Sequence, residues 1–238
     1  MEKVAMLRDK AKPEYLSEFM NYLAAASKRD QDRLPPLADI SGELDVSVAS
    51  LREQMEVARA LGLVEVRPKT GIRRLDYTFK PAVIQSLAYA IAIDPTAFEC
   101  FSDLRKNLEA AYWYQAVSLL TAEDHLKLQR LVVFAQEKMH GEPAQIPHAE
   151  HKELHLLIYR RLGNPFLNGM LEAYWEIYEV VGLNFYTDIA YLERVWMYHQ
   201  KMVEAVCAGN FDSGYQALMD HMELIFQRSK SISRQKFE

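Results

Sequence analysis

The sequence predicts a mostly α-helical protein in which a small N-terminal unit, closed by one β-hairpin, precedes an all-α antiparallel helical bundle. Three observations carry this. Apolar residues recur at helical spacing along most of the chain, alternating strand-like segments occur only between residues 63 and 79, and Gly, Pro and Asn cut the remainder into helix-length pieces. With 238 residues, 50% of them apolar and 26% charged, the composition fits a globular protein.

In chain order, residues 14–26 read as a first helix and Pro36 to Leu44 as a short second one. After the Asp45-Val46 connection, Ser47 is placed to cap a third helix carrying Leu51, Met55, Ala58 and Leu61 at 3-4-3 spacing, with Gly62 as its C′ residue. Leu63–Arg67 and Arg73–Phe79 then alternate apolar and polar side chains around the turn residues Pro68 and Gly71. Two helices joined by a short turn and followed by a hairpin outline a winged helix-turn-helix, with the first helix completing its core. Residues 1–79 form this domain, and 80–96 read as a linking helix ended near Asp94-Pro95.

Residues 97–238 form the bundle, with helices near 98–120, 122–139, 147–162, 165–181, 186–208 and 212–230. Thr121 and Asp124 make a capping-box pair, Gly141 and Pro143 break the chain, Gly163-Asn164-Pro165 breaks it again, and Gly209-Asn210 reverses it. The longest uninterrupted apolar run is Leu87 to Ile93, far short of the roughly 20 residues a membrane-spanning helix needs. The opening MEKVAMLRDKAKPEY lacks the apolar core of a signal peptide, and Cys100 and Cys207 are too few for a cysteine-based zinc site. These features predict a cytoplasmic protein with no membrane partner. The net charge of −5 falls on residues 80–238, whereas 1–79 are neutral and include the basic stretch Arg67 to Arg74.

Four histidines have testable spacing. His151 and His155 stand at i and i+4, on one helix face. His199 precedes Gly209 by about as many residues as His221 follows Asn210, so a reversal there sets both imidazoles roughly 15 Å from the turn, at one level. Packing the first helix against this hairpin brings four nitrogen donors together, a set suited to a divalent transition metal, zinc or nickel first. A single histidine at a helix contact is ordinarily a packing residue; four at matched heights favour a metal site. His148 is placed to replace a ligand or support one, while His125 and His140 read as surface residues. The aromatics Tyr112, Trp113, Trp175, Tyr178 and Trp196 read as core, some of them available to line a cavity. No HExxH, phosphate-cradling glycine loop or G-x-S-x-G is present, and the one Glu-x-x-His, Glu137 to His140, abuts the Gly141 break.

With these residues in view, the chain resembles a GntR-family bacterial transcription regulator of the FadR subfamily. Leu37 to Gly71 resembles that family's helix-turn-helix and wing, notably Val46-Ser47, Leu51-Arg52-Glu53 and Gly62 to Arg67. The helical part resembles its ligand-binding domain at Leu104-Arg105, Leu108-Glu109, Leu154-His155, Gly163-Asn164-Pro165, His199, Ala208-Gly209 and His221. Two positions depart from the pattern. Val48 stands where the family usually has Arg, the commonest reader of guanine, which argues against a family-like operator sequence. His151 stands where metal-binding members usually have Asp, which favours a later transition metal over an oxygen-loving ion.

The resemblance implies a homodimeric regulator of an operator in double-stranded DNA, with a small organic acid as effector. Its metal positions fall on His151, His155, His199 and His221, and it points to Arg105 and Asn164 for the effector. An ordinary i,i+4 pair with Glu109 is an equal reading of Arg105. DNA contacts are expected from Ser47, Ser50 and Arg52 at the start of the recognition helix, and from the wing residues Arg67, Lys69, Thr70, Gly71, Arg73 and Arg74. An i,i+4 pair with Glu56 is the plain alternative for Arg52. The competing readings are a metalloenzyme with a four-His site and an accessory winged helix, and a winged helix that binds protein, which stays open because the neutral first domain lacks the strongly basic signature of many DNA binders.

Overall fold

A computed structural model of the chain describes residues 15–28, 32–68, 71–181 and 189–235. It divides into two compact units, 1–82 and 83–238.

In the first unit, α1 spans Glu18–Lys28, α2 Leu37–Leu44 and α3 Val48–Ala60, followed by the antiparallel strands β1, Val64–Arg67, and β2, Gly71–Arg74. The expected first helix reached back to Glu14, which lies outside the described residues; α1 begins after Ser17, whose Oγ accepts from Met20 N at 3.3 Å. Ser47 caps α3 as its sequence position predicts, accepting from Ser50 N at 3.2 Å. The other end of α3 closes in a Schellman pattern: Leu63 N donates to the Ala58 carbonyl and Gly62 N to that of Arg59. Gly62 needs its missing side chain, because φ is 70° there and an added Cβ would stand 2.6 Å from Pro81 Cγ. Phe19, Leu23, Ile40, Leu51, Met55, Val64 and Ile72 fill a common core.

The hairpin is shorter than its alternation predicts. Gly71 is not a turn residue but the first of β2, opposite Arg67, and β2 ends at Arg74 instead of running to Phe79. One ladder bond, Leu75 N to the Leu63 carbonyl, continues beyond it. The inward face is set by Val64 and Ile72, both buried, so the pairing follows core contact. Residues 32–34 add a short third pairing along β2, in which Leu34 N donates to the Ile72 carbonyl and Arg74 N to that of Asp32.

Beyond the hairpin, the division between the units falls within α4, Lys80–Ile93. The bundle follows as α5, Ala97–Ser118; α6, Ala122–Met139; α7, His148–Arg160; α8, Pro165–Val180; α9, Ile189–Cys207; and α10, Phe211–Gln235. The start expected at 186 for the fifth of these lies outside the described residues. Thr121 and Asp124 form the full capping box of α6, and Arg161 also binds the Asp124 carboxylate, anchoring the end of α7. Gly209, at φ 71°, and Asn210 close α9 by a second Schellman pattern, and the Asn210 side chain then accepts from Ser213 N at 3.1 Å to start α10. The largest core is built on α5 to α10 around Trp113, Leu128, Leu154, Tyr159, Leu171, Met202 and Leu218. A second cluster joins Leu87 of α4 with Phe98 of α5 and Tyr174, Trp175 and Ile177 of α8.

Candidate metal centre

α7 presents His151 and His155 one turn apart, and the α9–α10 hairpin presents His199 and His221 at one level, their rings 4.1 Å apart. His155, His199 and His221 are fully buried and His151 is 8% exposed. One nitrogen from each lies within 4.8 Å of all the others. His155 Nε2 stands 3.1 Å from His199 Nε2 and 3.2 Å from His221 Nε2, and His151 Nε2 stands 3.4 Å from His221 Nε2. Two donors held about 2.1 Å from one shared ion are separated by roughly 3.0–3.4 Å, so these nitrogens fit a single divalent metal.

Burial pushes all four imidazoles below their ordinary pKa, most strongly His151, His199 and His221, where neighbouring rings add to the effect. They are therefore neutral, the state in which a histidine coordinates. Glu109 of α5, fully buried, meets His155 Nδ1 at 2.8 Å. That contact puts the His155 proton on Nδ1 and turns the Nε2 lone pair toward the cluster. Burial alone would raise the Glu109 carboxyl; Arg105 and His155 beside it hold it below the usual value. Tyr159 supports the same turn of α5 by donating to the Glu109 carbonyl at 2.9 Å.

The i,i+4 pair expected as one reading of Arg105 is present: its Nε donates to Glu109 Oε1 at 2.5 Å, with both side chains buried. Its guanidinium also lies 4.3 Å from the Tyr174 ring centroid and 4.6 Å from that of Trp175, and Nη2 has no hydrogen-bond partner among the described residues. The ion pair therefore leaves donor capacity over. Asn164 caps α8 with its side-chain oxygen, accepting from Phe166 N at 3.0 Å and Leu167 N at 3.2 Å. His148, the first residue of α7, is half-buried and outside the four-histidine group; His140 is exposed, while His125 is half-buried. The role of Glu109 toward His155 was hidden in the sequence, because its only local signal is the pairing with Arg105 and the two residues are 46 positions apart.

In the first unit, Ser47 and Arg52 are exposed at the start of α3 and Ser50 is half-buried, its Oγ accepting from Gln54 Nε2. Glu56 pairs with Arg59, not with Arg52. On the wing, Arg67 pairs with Glu65, Gly71 is exposed, and Arg73 is exposed with Asp32 at 3.8 Å. The Arg74 side chain is only 12% exposed and binds Asp32 at 2.8 Å, so it steadies the wing from within. Lys69 and Thr70 lie outside the described residues.

Residues 101–224 match the family described as the FCD domain. The chain is 24% identical over 207 residues to the Uxu operon transcriptional regulator of Escherichia coli strain K12, covering 85% of this chain and 80% of that protein. Its fold is similar to that of Streptococcus agalactiae GntR, with a TM-score of 0.63 at 17% identity over 87% of this chain and 96% of the other.

Proposed function

This chain belongs to the FCD-domain family and is a transcription regulator of the GntR type, not an enzyme; from that premise we propose that its helical unit binds one divalent metal and, at it, a small carboxylate effector that modulates operator binding. The observation that carries the reading is the convergence of four buried imidazoles, one of them oriented by a buried carboxylate. His151, His155, His199 and His221 hold the ion, which, when bound, offers a Lewis-acidic position to a carboxylate. Arg105, whose Nη2 retains its donor capacity, receives the effector's far end. Ser47, Ser50 and Arg52 read the DNA, while Arg67, Lys69, Thr70, Gly71 and Arg73 contact its backbone. Two copies bind a two-fold operator.

In this scheme the effector works by preferring one arrangement of the helical unit, which changes the spacing of two DNA-binding heads in a dimer. The test combines metal analysis with a gel shift on DNA upstream of the chain's own gene. Purified protein carries about one transition-metal equivalent per chain; His155→Ala loses it, His125→Ala keeps it, and both bind DNA through an unchanged first unit. Retention of metal in single Ala variants of all four histidines would leave them as packing residues.

A further inference from the structure

Trp175 is 2% exposed, and its indole Nε1 has no hydrogen-bond partner among the described residues. An unpaired buried N–H carries its full desolvation penalty, so such groups are rare and point to a partner that arrives from outside the fold. An unpaired indole is not the habit of this protein, since Trp113 Nε1 donates to the Phe211 carbonyl at 2.9 Å.

The place of Trp175 is specific. Its ring lies edge-on to His151 with centroids 4.5 Å apart, and 5.4 Å from His155. The Arg105 guanidinium sits 4.6 Å from the same ring's centroid. The indole is thus in contact with the metal ligand His151 and with the cation Arg105, the two groups that the proposed effector joins. Arg105 Nη2 and Trp175 Nε1, both buried and both unpartnered, are donors only, so what satisfies them supplies acceptors.

Building on the metal and carboxylate reading above, we infer that Trp175 is a specificity-determining residue of the effector site. Its N–H donates to an uncharged oxygen, hydroxyl or carbonyl, carried by the carboxylate effector. A plain alkyl carboxylate of the same length, which lacks that oxygen, then binds less well. A site built to pair a ligand oxygen rejects the analogue lacking it far more strongly than an apolar pocket rejects a missing methylene, because its own polar group is left unpaired.

The experiment titrates the nickel-loaded full chain with butyrate and with 2-, 3- and 4-hydroxybutyrate by calorimetry, and follows the indole N–H resonances by NMR. At least one hydroxy acid should bind ten times or more tighter than butyrate and shift the Trp175 indole resonance, which butyrate leaves in place. In Trp175→Phe, butyrate affinity stays as in wild type and the preference falls to near one. Equal affinity of wild type for all four acids, or a preference that survives in Trp175→Phe, overturns the assignment and leaves the metal and carboxylate reading standing. Binding of none of the four overturns both. Should Trp175→Phe not fold, the wild-type preference and its indole resonance decide the matter alone.

Discussion

Glu109 holds two buried positive or proton-bearing partners at once, Arg105 Nε at 2.5 Å and His155 Nδ1 at 2.8 Å, which makes it the side chain on which metal affinity and stability meet. Glu109→Gln keeps the shape and removes the charge. The lost orientation of His155 should lower metal affinity about 10–100-fold in a chelator competition. The unpaired Arg105 should lower stability by about 3–5 kcal/mol in urea unfolding, since a buried charge then stands alone. Unchanged metal affinity would reduce the Glu109 to His155 contact to packing. Asp124 gives the pH counterpart. The Arg161 guanidinium and Thr121 hold its carboxyl far below the usual range, against the opposing effect of burial. A depressed folded-state value means that the stability it contributes is complete above the unfolded pKa of about 4 and drains away as pH falls below it. Unfolding midpoints of wild type and Arg161→Ala should therefore differ at pH 7, with the gap beginning to narrow below a pH of about 4 and closing only as pH approaches the far lower folded-state value of Asp124. A gap that does not narrow at all below about 4 would assign the effect of Arg161 to something other than its charge.

The elements show which parts of this structure a sequence can reveal. Helix α3 is legible at both ends because its cap and its C′ residue are local: Ser47 and Gly62 each act within a few residues. Gly62→Ala forces a left-handed backbone on a side chain that would also meet Pro81 at 2.6 Å, and should cost about 1–3 kcal/mol in thermal or urea unfolding, with Gly42→Ala, which meets nothing within 4 Å, as the neutral comparison. The level match of His199 and His221 is equally readable, because the Gly209-Asn210 reversal converts a count of residues into a height. What is not readable depends on packing between distant segments. The extent of β2 follows from Ile72 entering the core, the pairing along residues 32–34 is too short to show a period, and Glu109 finds His155 only when α5 lies against α7. The wing makes the difference testable, since Arg73 and Arg74 are identical and adjacent in sequence. Arg73→Ala should reduce the slope of log affinity for DNA against log salt by about one, the loss of one phosphate contact. Arg74→Ala, which removes the internal pair with Asp32, should destabilise the first unit and leave that slope nearly unchanged. Equal slopes in wild type and Arg73→Ala would take this residue off the DNA.

At the scale of the whole molecule, the ligand set joins α7 to an α9–α10 hairpin that lies 44 to 70 residues away along the chain, whereas the first unit has its own core and, among the described residues, contributes no ligand. A metal that binds the folded state and not the unfolded chain stabilises by mass action, by about 2.7 kcal/mol when free metal is a hundred times its Kd. For a unit of this size each kcal/mol moves the melting temperature by roughly 2–4 °C, so loading should raise the transition of the helical unit by about 5–10 °C. The transition of the first unit should not move, because its core, from Phe19 to Ile72, is its own and the four histidines all belong to the second unit. Calorimetry of the full chain before and after chelation, with intrinsic fluorescence reporting on Trp113, Trp175 and Trp196, all three in the helical unit, separates the two responses. His199→Ala should show the chelated melting temperature whether or not nickel is added. If chelation instead lowers both transitions equally, or neither, the four histidines do not act as a clip confined to the helical unit.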